Sequence, residues 1–332
     1  MLRLLMTATI FFSLSSHASY KIQTTTIDNQ KINITHWHNN QEIQGSAQTN
    51  KPTIVLLSGP IDSWNSDSAW FARLAPKIAK THRVISIDRP GQITATSTNK
   101  VGYIEFGNLL KLIFEELKLE QVKLLTFSSS NISLFQYLSN NNQSVVKSAI
   151  LIDPDVLLSY SIGRYSKDAK PFKDNLKDYL LYIDEGKYTQ RAKQKNDIEM
   201  TMLKKLAEND QDTDWNYIRT IFKSRLHKNN LKNLFSEVAI YDQDLSLAKN
   251  LKIPSTLNIT IIDTNFEQQY IDSSDNEKDK KNILKWKMEA IQYYKSLANN
   301  SDNGKYIQLT TQQHLLPFSE PDLIIRLLNE LP

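Results

Sequence analysis

Residues 124–133 read LLTFSSSNIS. An apolar run of β type stops at three consecutive serines, and a helix-like pattern follows. A polar turn between a buried strand and a helix would explain the serines. A nucleophile would explain them too. A nucleophilic serine needs a backbone that thrusts its oxygen clear of the sheet, and a tight strand-to-helix turn supplies one. In such a turn the residues two before and two after the nucleophile must be small, which is why the usual pattern is G-x-S-x-G. Ser128 is flanked at those positions by Thr126 and Ser130, Ser129 by Phe127 and Asn131, and Ser130 by Ser128 and Ile132. Only Ser128 meets the steric rule. The amides of the helix that follows would favour a developing negative charge beside it.

Working outward, further apolar runs read as buried strands: TIVLLS (53–58), RVISID (83–88), KLLTF (123–127), SAILID (148–153) and LNITIID (257–263), with a weaker KYIQLT (305–310). Continuous apolar runs of this length suit a parallel sheet covered on both faces. YKIQTTTIDNQKINITHWHN alternates around a DNQ turn and predicts a hairpin. Helical spacing appears at about 67–80 behind an Asp67 cap, at 103–118, at 131–140 and at 319–331, where Ser319, Pro321 and Asp322 give a start signal. Strands alternating with helices predict an α/β fold with a mostly parallel central sheet. Residues 156–250 break the alternation with helical, Lys-, Asp- and Tyr-rich sequence. That is too long for a plain loop and predicts a helical insertion. The charged stretch SSDNEKDKKN (273–282) reads as a loop.

The N-terminus, MLRLLMTATIFFSLSSHA, carries one arginine, a short apolar stretch and small residues ending at Ala18. This is the layout of a cleaved signal peptide, residues 1–18, and predicts a secreted or periplasmic protein with no integral membrane span after removal. The chain has no cysteine, so disulfides and cysteine-built zinc sites are excluded. A formal charge of +4 with both signs interspersed gives no basic stripe for nucleic acid. His36 and His38 share a strand face but lack an evident third metal ligand. No cofactor is predicted.

Five segments, VLLSGPIDSW, RVISIDRPGQ, KLLTFSSSNISLFQYL, SAILIDPD and YIQLTTQQHLLPFSEPDLI, occur in the order and spacing of the α/β-hydrolase fold. The chain resembles that superfamily over nearly all of residues 50–332. The resemblance implies a core of residues 19–155 and 251–332 with a helical cap at 156–250. Where the family has a His-Gly loop this chain has Ser58-Gly59, and Asp88-Arg89-Pro90-Gly91 matches its Asp-x-x-Gly. The nucleophile elbow falls on Ser128 and the catalytic histidine loop on His314, just past the last strand. The family's chain order of nucleophile, acid and histidine leaves three carboxylates for the acid. Glu267 ranks first, Asp155 second and Asp263 third. The resemblance gives the oxyanion hole to the amide of Ser129 and to one after the Ser58-Gly59 pair. The latter position is Pro60, which has no N–H, so Ile61 is the substitute donor. Gly59, Pro60 and Trp64 would contact substrate. The chain has only 8 glycines, and a general loss of glycine accounts for the degenerate elbow. Together these features predict a serine hydrolase acting on a small carboxylic ester. An aminopeptidase-like amide hydrolase on a short peptide and a non-catalytic binder of the same fold are the alternatives. A serine in place of aspartate argues against haloalkane or epoxide hydrolysis, for which the family uses a carboxylate.

Overall fold

The computed structural model describes residues 19–38, 52–141, 143–208 and 210–331. The expected signal peptide lies outside them. Eight strands form one sheet: β1 (Ser19–Ile27), β2 (Gln30–His38), β3 (Thr53–Leu57), β4 (Arg83–Asp88), β5 (Val122–Phe127), β6 (Val146–Ile152), β7 (Asn258–Asp263) and β8 (Lys305–Gln308). Their spatial order is β1-β2-β4-β3-β5-β6-β7-β8. The β1–β2 hairpin and the β2–β4 pair are antiparallel, and every other pair is parallel. The apolar runs end within two residues of where the sequence places them, because strands buried on both faces leave no polar alternation to blur their limits.

Each strand divides its side chains between two cores. Val55, Leu57, Leu124, Leu151 and Ile261 pack on one face, against α2 (Tyr103–Glu116) and α3 (Ser130–Asn140). Ile54, Leu56, Leu125, Phe127, Ile150 and Ile262 pack on the other. That second face is covered by α1 (Leu74–Ile78), preceded by a 3-10 turn at Ser68–Phe71, and by the C-terminal helix Pro321–Glu330. The expected single helix at 67–80 is thus two short pieces. Asp67 does cap the first, accepting from the Ala69 amide at 3.2 Å.

Between β6 and β7 stand six helices: α4 (Ser159–Asp174), α5 (Leu176–Asp184), α6 (Thr189–Leu206), α7 (Trp215–Ser224), α8 (Lys228–Ala239) and α9 (Tyr241–Ala248). They hold a small apolar cluster of their own, Ile183, Tyr188, Ala192, Leu231 and Phe235. Buried ion pairs tie them to the core, Arg225 with Asp67 and Glu237 with Arg89, while Arg225 also pairs with Glu199 of α6 within the insertion. After β7 come α10 (Phe266–Ser273), α11 (Glu277–Asn299), α12 (Leu316–Ser319) and α13 (Pro321–Glu330). The charged segment expected as a loop at 273–282 in fact opens α11. Asn276 caps that helix by accepting from the Lys278 and Asp279 amides, and Glu277 and Asp279 complement its positive end. Its apolar stripe, Ile283, Trp286, Ala290 and Tyr294, is what the charge obscured. Among the described residues no helix is long and apolar enough to cross a membrane.

Candidate active site

The sheet register brings the candidate residues together at the carboxyl ends of the strands. Leu57 pairs with Thr126, so Ser58 and Gly59 emerge beside Phe127 and Ser128. Phe127 pairs with Ile152, so Ser128 emerges beside Asp153. Ile152 pairs with Ile262, which sets Asp153 against Asp263 and Thr264.

Ser128 sits at the corner between β5 and α3 with φ +53°, a left-handed conformation that costs a non-glycine residue roughly 1–3 kcal/mol. The surroundings hold it there. The Ser128 amide donates to the Ile152 carbonyl at 2.9 Å. Ser130, two residues on, is buried, and its hydroxyl donates to the Leu57 carbonyl at 2.8 Å and accepts from the Phe127 amide at 2.9 Å. A larger side chain there would have no room. Gly59 closes against the same corner: a Cβ on it would lie 2.3 Å from the Phe127 carbonyl oxygen and 2.6 Å from the Ser129 nitrogen. Glycine survives at position 59 because backbone meets backbone there.

His314 follows β8 and stands between two aromatic rings, Phe127 at 4.9 Å and Phe266 at 4.4 Å between centroids. Its Nδ1 is 2.9 Å from Asp153 Oδ2. Asp153 is fully buried, whereas the histidine side chain is 20% exposed. The carboxylate also accepts from the Thr264 amide at 2.7 Å and the Thr264 hydroxyl at 2.6 Å. Three donors converging on one carboxylate fix its position and, through it, the imidazole. Ser128, His314 and Asp153 line one cavity of about 300 Å³. Among the described residues no hydrogen bond joins Ser128 to His314. Catalytic hydrogen bonds often tighten only when substrate is bound.

The histidine's carboxylate partner is therefore Asp153, and not any of the three ranked from the sequence. Glu267, in the first turn of α10, is 1% exposed, and its Oε2 has no hydrogen-bond partner. Burial, reinforced by the neighbouring Asp153 charge, pushes its carboxyl up to about 8, so it is protonated at neutral pH. Asp263 accepts from the Tyr306 hydroxyl, and burial pushes it up to about 7. Asp155 lines the cavity but takes its hydrogen bond from the Tyr241 hydroxyl of α9. Burial raises it to about 6 against the pull of that bond. Asp153 was hidden in plain sight. It ends the run SAILID, where an Asp reads as a strand-terminating turn residue. Tyr241 and Asn131 also escaped the sequence. Asn131 clamps the Asp155 backbone, accepting from its amide at 3.1 Å and donating to its carbonyl at 3.2 Å.

The Ser129 amide, the first donor expected for an oxyanion hole, lies beside Gly59 at the N-cap of α3. The substitute donor expected from Ile61 is engaged elsewhere, because its amide donates to the Asn65 carbonyl at 3.3 Å. That bond belongs to a tight turn in which the Trp64 amide returns to the Ile61 carbonyl at 2.8 Å and Trp64 takes φ +66°. Pro60, Ile61 and Trp64 do line the cavity; Gly59 lies behind the elbow. Among the described residues no cluster of three or more metal-ligating side chains occurs. His36 and His38 stack on β2, 6.3 Å between centroids, and burial lowers His36 to about 4.

No family model matches the chain, and no curated protein matches it either. Solved structures do. Cfl2 from Burkholderia cenocepacia superposes with TM-score 0.60 at 15% identity, covering 94% of this chain and 95% of that one. The epoxide hydrolase CorEH gives 0.60 at 14% identity, covering 93% and 97%. A haloalkane dehalogenase DbeA loop variant from Bradyrhizobium elkanii gives 0.56 at 12%, covering 93% and 95%. An α/β-hydrolase fold protein from Burkholderia ambifaria gives 0.52 at 13%, covering 93% and 97%. Identities this low speak to architecture alone, and with the strand order and the elbow at Ser128 they establish that the chain has the fold of the α/β-hydrolase superfamily.

Proposed function

We propose that the protein is a serine hydrolase that cleaves a small carboxylic ester through an acyl-enzyme. The observation that carries this reading is the shared cavity, in which Ser128 stands on a left-handed corner and His314 is held at Nδ1 by Asp153. With Nδ1–H bound to the carboxylate, Nε2 keeps its lone pair. It takes the Ser128 proton as the oxygen attacks the carbonyl, then returns the proton to the leaving alcohol. Water reverses the steps and frees the acid. Asp153 steadies the imidazolium that forms in between. The amide of Ser129 faces the developing oxyanion. The helical insertion acts as a cap, with Tyr165 of α4 and Tyr241 of α9 closing the cavity. Hydrolases among the structural neighbours favour this class by analogy of fold only. Amide cleavage in a short peptide is the less favoured substrate reading. Export to the periplasm or beyond belongs to the same proposal, and the mass of the mature protein, expected to begin at Ser19, tests it.

A second reading, a binder that has lost the reaction, is favoured by one observation: neither Pro60 nor Ile61 offers a free N–H to an oxyanion. A fluorophosphonate probe separates the two. The hydrolase reading expects covalent labelling at Ser128, abolished by Ser128→Ala and by His314→Ala. Failure of the folded wild type to label would leave the binder.

A further inference from the structure

The cavity is strongly biased in charge. Four carboxylates line it, Asp62, Asp153, Asp155 and Asp168, against one guanidinium, Arg164. Asp153 is committed to His314 and Thr264. Asp62 and Asp168 are exposed at the mouth. Arg164 stacks over the Trp286 ring at 4.6 Å, one helical turn before Asp168.

Asp155 is the anomaly. It is only 7% exposed, and among the described residues no lysine or arginine pairs with it. A carboxylate buried without a cation is costly unless something compensates it. Its side chain accepts from the Tyr241 hydroxyl and from the Ser129 hydroxyl, which are themselves 2.7 Å apart, and neither partner carries a positive charge. Asn131 grips its backbone from both sides, so the group is fixed rather than adaptable. The aromatic side chains of Trp64, Tyr165, Phe266 and Trp286 line the same space, and the Trp286 ring already carries the Arg164 guanidinium over it. Aromatic faces around a fixed carboxylate attract an organic cation, and repel a carboxylate ligand.

We propose that this cavity takes substrates bearing an organic ammonium group and that Asp155 is the counter-ion that selects them. The inference names the substrate class of the site above, and so rests on that cavity being the substrate site. The ammonium neutralises Asp155, which among the carboxylates lining the cavity is buried and has no lysine, arginine or histidine hydrogen-bonded to it. The scissile carbonyl would then lie toward Ser128.

The test uses probes that are not hydrolysed, so its outcome does not depend on whether Ser128 reacts. Choline, its uncharged isostere 3,3-dimethylbutanol and γ-hydroxybutyrate are titrated into the wild type and into Asp155→Asn by ligand-observed NMR at pH 7.5. The wild type is expected to bind choline about tenfold or more tighter than the isostere, with the carboxylate weakest. Asp155→Asn is expected to bring choline to the level of the isostere. Equal binding of choline and the isostere by the wild type overturns the proposal, as does a preference that survives in Asp155→Asn. If that variant does not fold, Asp155→Ser, smaller and also uncharged, carries the test. Choline is then expected to fall to the level of the isostere, and a choline preference that survives in it overturns the proposal. Failure of the hydrolase reading would appear instead as absent fluorophosphonate labelling with the choline preference intact.

Discussion

Asp153→Asn separates the carboxylate that touches the histidine from the one the sequence favours. In the structure one Asp153 oxygen accepts from the Thr264 amide at 2.7 Å, and the other from the Thr264 hydroxyl at 2.6 Å and from His314 Nδ1 at 2.9 Å. An asparagine can keep only one acceptor oxygen. If that oxygen faced His314, its NH2 would oppose the Thr264 N–H in a site without solvent, at a cost of about 1–3 kcal/mol. The preferred arrangement therefore keeps the Thr264 amide satisfied and turns the NH2 toward the imidazole, while the Thr264 hydroxyl rotates to accept. His314 must then present a lone pair at Nδ1 and carry its proton on Nε2. In that tautomer it cannot take a proton from Ser128. The fold survives and the base is lost. A change of tautomer of this kind lowers turnover on the order of 10⁴-fold, equivalent to about 5 kcal/mol in the barrier. The assay is the rate of fluorophosphonate labelling together with turnover of 4-nitrophenyl butyrate, with circular dichroism to verify folding. Glu267→Gln runs alongside and is expected to label within about tenfold of wild type, because Glu267 is already protonated at neutral pH. A folded Asp153→Asn that keeps near-wild-type labelling, with Glu267→Gln losing it, would refute the assignment.

Two further predictions concern the frame around the site. Gly59→Ala would place a Cβ 2.3 Å from the Phe127 carbonyl oxygen and 2.8 Å from Ser128 Cβ, so the corner must shift; labelling is expected to slow roughly a hundredfold, with a stability loss of about 1–3 kcal/mol by thermal melting, and wild-type labelling would refute the close packing. Glu267 predicts a pH signature in stability. Its folded carboxyl is held at about 8 against an ordinary 4.5, so between those values the unfolded chain has released a proton that the folded chain retains. Stability must then fall as pH rises through that window, by an upper bound on the order of 5 kcal/mol. Glu267→Gln removes the effect, so denaturant melts should show the variant gaining on the wild type from pH 5 to pH 8, and a gap that is flat or of opposite sign would refute it.

The parts of this molecule legible in the sequence are those governed by local rules. The strands could be read because burial on both faces writes a continuous apolar run, and Ser128 because sterics at the positions two either side admit one serine of three. The helix α11 was hidden because its stripe of Ile283, Trp286, Ala290 and Tyr294 sits within dense surface charge. The carboxylate that meets His314 is not legible for a different reason. The choice between Asp153, Asp155, Asp263 and Glu267 depends on which oxygen meets His314, and that is decided by pairing of Ile152 with Ile262, which aligns Asp153 with Thr264, and by the direction in which each side chain leaves its strand. Asp153 and Asp155 are two residues apart, and both emerge past the end of β6. One turns to the histidine and the other to the cavity floor, where Tyr241 meets it. Nothing in the residue types D-P-D distinguishes them. Their environments do: Asp153 gathers three donors, while Asp155, without a cation of its own, is left facing the space a substrate would fill.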